Sequence, residues 1–346
     1  TIGSVDENNK GTVGLEYSFN SYLDGKDGKI LTRKLAGNNW MPIYDGSEIQ
    51  PKNGYDIVTT INVNLQDIAE SALLKGLELN NADYGSVILM EVETGEIKAI
   101  SNFSKNKSGY YTENYNYAIQ GMHEPGSTFK LASMLAYIEE TNRSVLDSID
   151  TGDGEFRFYS ETMKDHKPGG YGKITIKEIF EKSSNIGVAM LIDDTFKDKP
   201  QNFLSYLKKF GFSDEFNFQI FGSSKPQIKN YADSSWSKVS LPWIAHGYEL
   251  MLTPLHTLAF YNAIANNGYY VQPQIVKNVR NANDIIQKFD VPYPEKIATK
   301  NSVNTMKVLL EGVVENGTAD NIKHSNYKIA GKTGTAKKVL NGRYVN

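Results

Sequence analysis

Pro125-Gly126 halts the chain just before Ser127-Thr128-Phe129-Lys130, and Leu131, Ala132, Met134, Leu135, Ala136 and Ile138 follow with few polar interruptions. A helix that is apolar around most of its circumference belongs inside a protein, with other elements packed on several sides. Ser127 opens this helix, so a serine and a lysine stand at its buried end. Lys130, three residues on, lies one turn along the same face, within reach of the Ser127 hydroxyl. That pairing has a chemical use, because a serine hydroxyl is a poor nucleophile at neutral pH unless a base takes its proton. An amine is a base only when uncharged, and burial, a second cation and the positive end of a helix all push a lysine that way.

Two later motifs supply the remaining parts. Ser183-Ser184-Asn185 precedes an apolar run, and Lys332-Thr333-Gly334-Thr335 follows residues 327–330, which read as a strand. Lys332 is the candidate second cation, and Gly334 removes a side chain where a substrate backbone would lie along a strand edge. The backbone N–H groups of Ser127 and Thr335 are the candidate oxyanion donors. Each motif alone is weak. A Ser-x-x-Lys tetrad arises by chance, and Ser183-Ser184-Asn185 suits a helix N-cap equally well. Gly331-Lys332-Thr333 imitates the end of a phosphate-binding loop, but the first glycine of that pattern falls on Asn326. Their joint occurrence in this order, at a helix start, an inter-helix loop and a strand, carries the reading of an acyl-transferring serine.

The Ser-x-x-Lys, Ser-x-Asn and Lys-Thr-Gly set is general to penicillin-binding proteins and class A β-lactamases. The sequence resembles the transpeptidase domain of a class B penicillin-binding protein, with His123 to Lys130 similar to that family's nucleophile segment. Thr59-Thr60-Ile61-Asn62 with Leu65-Gln66, and Thr253-Pro254-Leu255 with Ala265-Asn266-Asn267-Gly268, extend the likeness across the domain. Gly14-Leu15-Glu16, Leu23-Asp24-Gly25 and Asp27-Gly28 resemble the junction with a pedestal domain, and Leu15-Glu16 leans to the division-type subgroup. The resemblance implies a serine D,D-transpeptidase, inhibited covalently by β-lactams, that cross-links peptidoglycan stem peptides ending in D-Ala-D-Ala. It implies Ser127 as nucleophile, Lys130 as base, Ser183 and Lys332 as a proton relay, Asn185 on the substrate amide, and Thr333, Gly334 and Thr335 as the substrate-docking edge. It also implies cell-wall synthesis or division proteins as partners, and a place outside the cytoplasmic membrane, held by an N-terminal anchor absent from these residues. A D,D-carboxypeptidase, a β-lactamase of the same fold and a non-catalytic β-lactam sensor share the motifs. No glutamate in a recognisable deacylation frame stands between Ser183 and Gly211, which speaks against the β-lactamase.

Composition excludes other classes. A formal net charge of −3 offers no basic field for nucleic acid. There is no cysteine, the five histidines show no ligand spacing, and neither metal nor cofactor is expected. Asp153, Asp165 and Asp193-Asp194 lie in polar loops or at helix ends, where solvated carboxylates are normal. No stretch approaches the ~18 apolar residues of a membrane span. Residues 1–56, rich in Gly, Asn and Asp, are expected to form a pedestal and linker remnant of turns and short strands with no core. Residues 57–346 are expected to form the transpeptidase domain, cut short at its C-terminal end just after a hairpin turn at Asn341-Gly342. Leu65, Ile68, Ala69, Leu73 and Leu77 predict a helix capped by Asn62 or Asn64. Residues 86–92 and 96–101 predict a hairpin in the sheet that holds Lys332. Helices are predicted over 174–182, 186–196, 202–210, 253–266 and 302–316. The expected fold class is α+β, a central antiparallel sheet with helices on both faces, similar to β-lactamases and transpeptidases.

Overall fold

Asn62 opens the first long helix, α1 (Val63–Leu79), where its side chain accepts the Leu65 N–H at 3.2 Å. The computed structural model describes residues 1–37, 39–141, 143–212, 218–290, 292–336, 338–340 and 343–345. The short strand β1 (Asp56–Thr59) precedes α1, and the predicted hairpin follows it as β2 (Tyr84–Met90) and β3 (Ile97–Lys105), paired antiparallel. Gly95 turns the chain between them with φ +72°, and a Cβ there would meet Gln272 O at 2.6 Å. A third strand, β4 (Tyr111–Thr112), pairs with the far end of β3.

Helices cover both faces of this sheet. Tyr84 stacks on Tyr117 of α2 (Tyr117–Gln120) with ring centroids 4.4 Å apart, whereas the next position, Gly85, faces Leu73 and Leu77 of α1. Successive strand residues point to opposite sides, so α1 and α2 lie on opposite faces. The α+β architecture therefore agrees with the sequence expectation.

The larger core surrounds α3 (Lys130–Thr141), whose Leu131, Ala132, Met134, Leu135 and Ala136 are wholly buried. Around it pack α4 (Ile176–Glu181), α5 (Asn185–Phe196), α6 (Pro200–Lys209), α7 (Ser240–Ala245), α8 (Pro254–Ala265) and α9 (Lys300–Glu315). Most begin on a side chain the sequence offers for the purpose: Thr175, Ser184, Thr253 and Thr299 each accept a first-turn N–H. Among the described residues no helix is long and apolar enough to cross a membrane.

Three expectations are corrected. Residues 327–330 and Lys332 are not in a strand, and the 86–101 hairpin does not join them. The Gly331 N–H instead donates to Leu310 O of α9 at 3.1 Å, so this stretch lies along a helix and not beside a strand edge. Strands β7 (Lys338–Leu340) and β8 (Arg343–Val345) do form and pair with each other; the predicted turn at Asn341-Gly342 lies outside the described residues. Second, β5 (Val276–Asn281) and β6 (Asp284–Lys288) make a hairpin that pairs with β1 in the stretch between the predicted helices 253–266 and 302–316, where no strand is predicted. Ala282 turns it with φ +52° between two asparagines, the kind of polar turn that signals a hairpin. Third, residues 1–56 hold the exposed hairpins expected of them, but also two short helices, Gly14–Ser18 and Asn20–Leu23. Leu15 and Phe19, four apart on one helical face, join a core cluster with Ile97, Ile119 and Leu255.

Candidate active site

Ser127 sits half-buried in a 3-10 turn, Gly126–Phe129, that runs directly into α3. Three stretches of backbone meet at this turn. Gly126 has φ +55°, its N–H donates to Gly247 O at 3.1 Å, and a Cβ on it would lie 2.5 Å from Thr335 O. A Cβ on Gly334 would meet Thr128 Cγ2 at 2.9 Å. The Lys332–Thr335 stretch thus runs over the residues on either side of Ser127. From below, Tyr261 donates its hydroxyl to Thr128 O at 2.8 Å.

Lys130 is fully buried, and its Nζ lies 2.7 Å from Ser183 O, 2.6 Å from Asn185 Oδ1 and 3.2 Å from Ser183 Oγ. None of these is a carboxylate. Burial is the main reason its pKa falls well below the ordinary lysine value; the neighbouring Lys332 charge adds to the fall and Asp165 opposes it. An uncharged amine has two N–H bonds and one lone pair. The Ser183 carbonyl and Asn185 Oδ1 have no hydrogen to give, so they take the two N–H bonds and leave the lone pair to a hydroxyl. The Asn185 orientation is fixed by its Nδ2, which donates to Lys164 O at 3.1 Å.

Lys332 approaches from the opposite side. Its Nζ donates to Ser183 Oγ at 2.8 Å and to Thr333 O at 3.2 Å, and lies 5.9 Å from the centre of the Phe180 ring. Burial lowers its pKa to about 8. The Ser183 hydroxyl therefore bridges two amines supplied by segments far apart in sequence. Ser183 adopts φ +58°, a left-handed conformation uncommon for a non-glycine residue and a recurrent mark of functional turns. Thr333 Oγ1 lies 2.6 Å from Thr318 Oγ1, while Gly334 and Thr335 are exposed.

The two readings of Ser183-Ser184-Asn185 turn out to be compatible. Ser184 is the N-cap of α5, accepting the Gly187 N–H at 2.9 Å, and this leaves Ser183 and Asn185 to face Lys130. What holds the loop is Asp165, a residue set aside on the sequence as a solvated carboxylate. It accepts the Ser184 hydroxyl at 2.8 Å, the Asn185 N–H at 2.6 Å and the Ile186 N–H at 3.1 Å. An anion at a helix N-terminus is favourable, but only the fold brings residue 165 to residue 185. His246 is a structural residue beneath the serine turn: burial drops its pKa to about 3, and its Nδ1 lies 2.9 Å from Pro242 O.

The penicillin-binding protein transpeptidase domain model matches residues 85–346. The chain belongs to that family. This penicillin-binding transpeptidase domain is 32% identical over 360 residues to the peptidoglycan D,D-transpeptidase FtsI of Buchnera aphidicola subsp. Schizaphis graminum, covering 99% of the chain and 58% of the relative. It is 29% identical to FtsI of Escherichia coli K12, covering 100% of the chain and 56% of the relative. The chain therefore spans a little over half the length of these curated relatives. Penicillin binding protein 3 of Mycobacterium tuberculosis shares the fold, with a TM-score of 0.85 at 24% identity, over 100% of this chain and 76% of that one. The same protein has been solved with aztreonam and with ampicillin. The class B resemblance and its division-type leaning agree with the FtsI matches.

Proposed function

We propose that this penicillin-binding transpeptidase domain is a serine D,D-transpeptidase that cross-links peptidoglycan stem peptides ending in D-Ala-D-Ala. The observation that carries the reading is the buried, carboxylate-free setting of Lys130, one turn from Ser127 and hydrogen-bonded to Ser183 and Asn185. In the proposed cycle uncharged Lys130 takes the Ser127 proton as Oγ bonds to the penultimate D-alanine carbonyl carbon. The N–H groups of Ser127 and Thr335 stabilise the resulting oxyanion. The peptide C–N bond then breaks, and the proton held by Lys130 passes through the Ser183 hydroxyl, between the two amines, to the departing D-alanine nitrogen. Lys332, Thr333 and Thr335 dock the donor carboxylate, Gly334 leaves room for its backbone, and Asn185 holds its amide. An amine of a second stem peptide attacks the acyl carbon, loses a proton to the base, and restores Ser127.

A β-lactam presents the same acyl carbon, but its nitrogen remains tethered after ring opening, so Ser127 stays acylated. The similarity to named peptidoglycan transpeptidases also supports action outside the cytoplasmic membrane, alongside other cell-wall synthesis or division proteins. The Ser127→Ala variant should retain its thermal stability and lose all covalent labelling by a fluorescent penicillin. Labelling that survives this change removes Ser127 as the nucleophile.

A further inference from the structure

Three residues with a left-handed backbone meet where the chain enters the serine turn. Gly126 has φ +55°, Gly247 has φ +94° and Glu249 has φ +57°. The two glycines suit their places: the Gly126 N–H donates to Gly247 O, and a Cβ on Gly247 would lie 2.0 Å from Gly126 O, so no side chain fits. Glu249 is the exception. A Cβ in this conformation crowds its own backbone, and a residue that carries one stays there only when its surroundings hold it.

Glu249 is held at both ends. Its N–H donates at 3.0 Å to Oε1 of Glu124, three residues before Ser127. Its carboxylate accepts Lys229 Nζ at 2.8 Å, in a pair whose side chains are 23% and 18% exposed, too sheltered for salt to screen fully. Lys229 is fixed in turn. Its amine also donates at 3.0 Å to the hydroxyl of Ser240, a buried residue that opens α7, and the neighbouring Ile228 pairs with Leu250. The far end of α7 is tied to α3, where the Ser133 hydroxyl donates to Ala245 O at 2.7 Å. Residues 124–126 are therefore clamped to residues 247–249 by one backbone bond and one carboxylate bond. The ion pair braces that clamp while making no hydrogen bond to Ser127 or Lys130 among the described residues.

We propose that Glu249 is a positioning residue for acylation: paired with Lys229, it holds the left-handed turn on which Glu124 to Gly126 dock, and so aims the Ser127 N–H and hydroxyl. The proposal rests on the transpeptidase reading for the reaction it serves; the strained turn and its brace do not. A deleted oxyanion donor costs roughly 10²–10³-fold in rate, so one that is misaimed but still present should cost less, about tenfold.

The test follows penicillin acylation of the 346-residue chain by stopped flow over a range of concentrations, which separates the limiting rate from the half-saturating concentration. Glu249→Ala keeps a Cβ in the left-handed region without its anchor, so the limiting rate should fall about tenfold at an unchanged half-saturating concentration. Lys229→Met should lower it equally and the double variant no further, because all three remove one ion pair. Glu249→Gly also lacks the anchor but adopts the turn freely, so it should recover most of the lost rate and melt above Glu249→Ala. If Glu249→Ala does not fold, Lys229→Met against Glu249→Gly makes the same comparison. A role in stability alone would move the melting temperatures and leave the limiting rate where it was. That result, additive losses in the double variant, or a glycine variant as slow as the alanine one overturns the proposal. So does a raised half-saturating concentration shared by both, which would make the carboxylate a substrate contact. No acylation of the unaltered chain would strike the transpeptidase reading itself, a failure that no comparison among variants can imitate.

Discussion

The two walls of the candidate active site are built in opposite ways. One wall is helical: Lys130 lies wholly inside the protein, and the loop facing it is tied by a carboxylate, a helix cap and two amide groups. The other, Lys332 to Thr335, has no regular structure, and it is anchored by the Gly331 N–H, the Thr318 hydroxyl and the Lys332 amine. The contrast fits the roles proposed for them. A lysine that works uncharged must be kept from water, which needs a packed core; a segment that receives a peptide must keep its backbone accessible. Rigidity and access are thus assigned to separate stretches of chain that share one hydroxyl, that of Ser183.

Replacing Lys130 should have the largest effect. Lys130→Met is expected to slow acylation by roughly 10²–10⁴-fold, the usual range for a lost general base. It should also lower the melting temperature, because the apolar chain that replaces the amine leaves Ser183 O and Asn185 Oδ1 without their donor. Stopped-flow penicillin acylation and calorimetry on the same sample check both halves; near-normal acylation would end the assignment of the rigid wall as the base.

The accessible wall should reveal itself through pH. With its pKa lowered to about 8, Lys332 loses its charge as pH rises through that value. A donor carboxylate docked by the cation should therefore bind less well above about pH 8, and the acylation rate should fall on the alkaline side. Lys332→Arg keeps the charge at every accessible pH, so that fall should vanish even if the plateau drops. An unchanged alkaline limb would show that the cation plays no part in docking.

Asp165 tests how far the rigid wall extends. Asp165→Asn should lower the plateau rate about tenfold, consistent with the loss of a charge-assisted bond to the loop. The carboxylate also holds the Lys130 pKa up, so its removal should lower that pKa and move the acid limb of the profile to lower pH. A lower plateau with an unmoved limb would make Asp165 a mechanical brace alone. The smallest effect is expected at the loose wall: Thr318→Val removes one hydroxyl contact to Thr333, worth about 0.5–1.5 kcal/mol. Acylation should slow a few-fold, as measured with the same penicillin.

Much of the rigid wall was legible in the sequence because its determinants are local. The glycine turn, the serine-to-lysine spacing and the apolar run all fall within residues 125–138, and short-range geometry converts such spacings directly into position. The order of the three motifs was legible too. Asp165 was not, because a loop aspartate looks the same whether solvent or a helix end meets it. The Lys332 stretch was misread as a strand because its alternation suits an extended chain, whether it pairs with a neighbouring strand or lies against α9. The β5–β6 hairpin was missed for a related reason: each strand is short, and its partner β1 lies more than two hundred positions earlier.

The Ser183 hydroxyl also sets a schedule. Its partners Lys130 and Lys332 lie 53 and 149 positions away in opposite directions along the chain. A ribosome building this protein makes Ser127 and Lys130 early, yet the second amine, that of Lys332, emerges only some two hundred residues later. Until then the serine can be surrounded by helices and still lack the residue that completes its surroundings. Covalent capture by penicillin would then act as a stopwatch for maturation, silent on partly made chains and switched on when the distant lysine arrives.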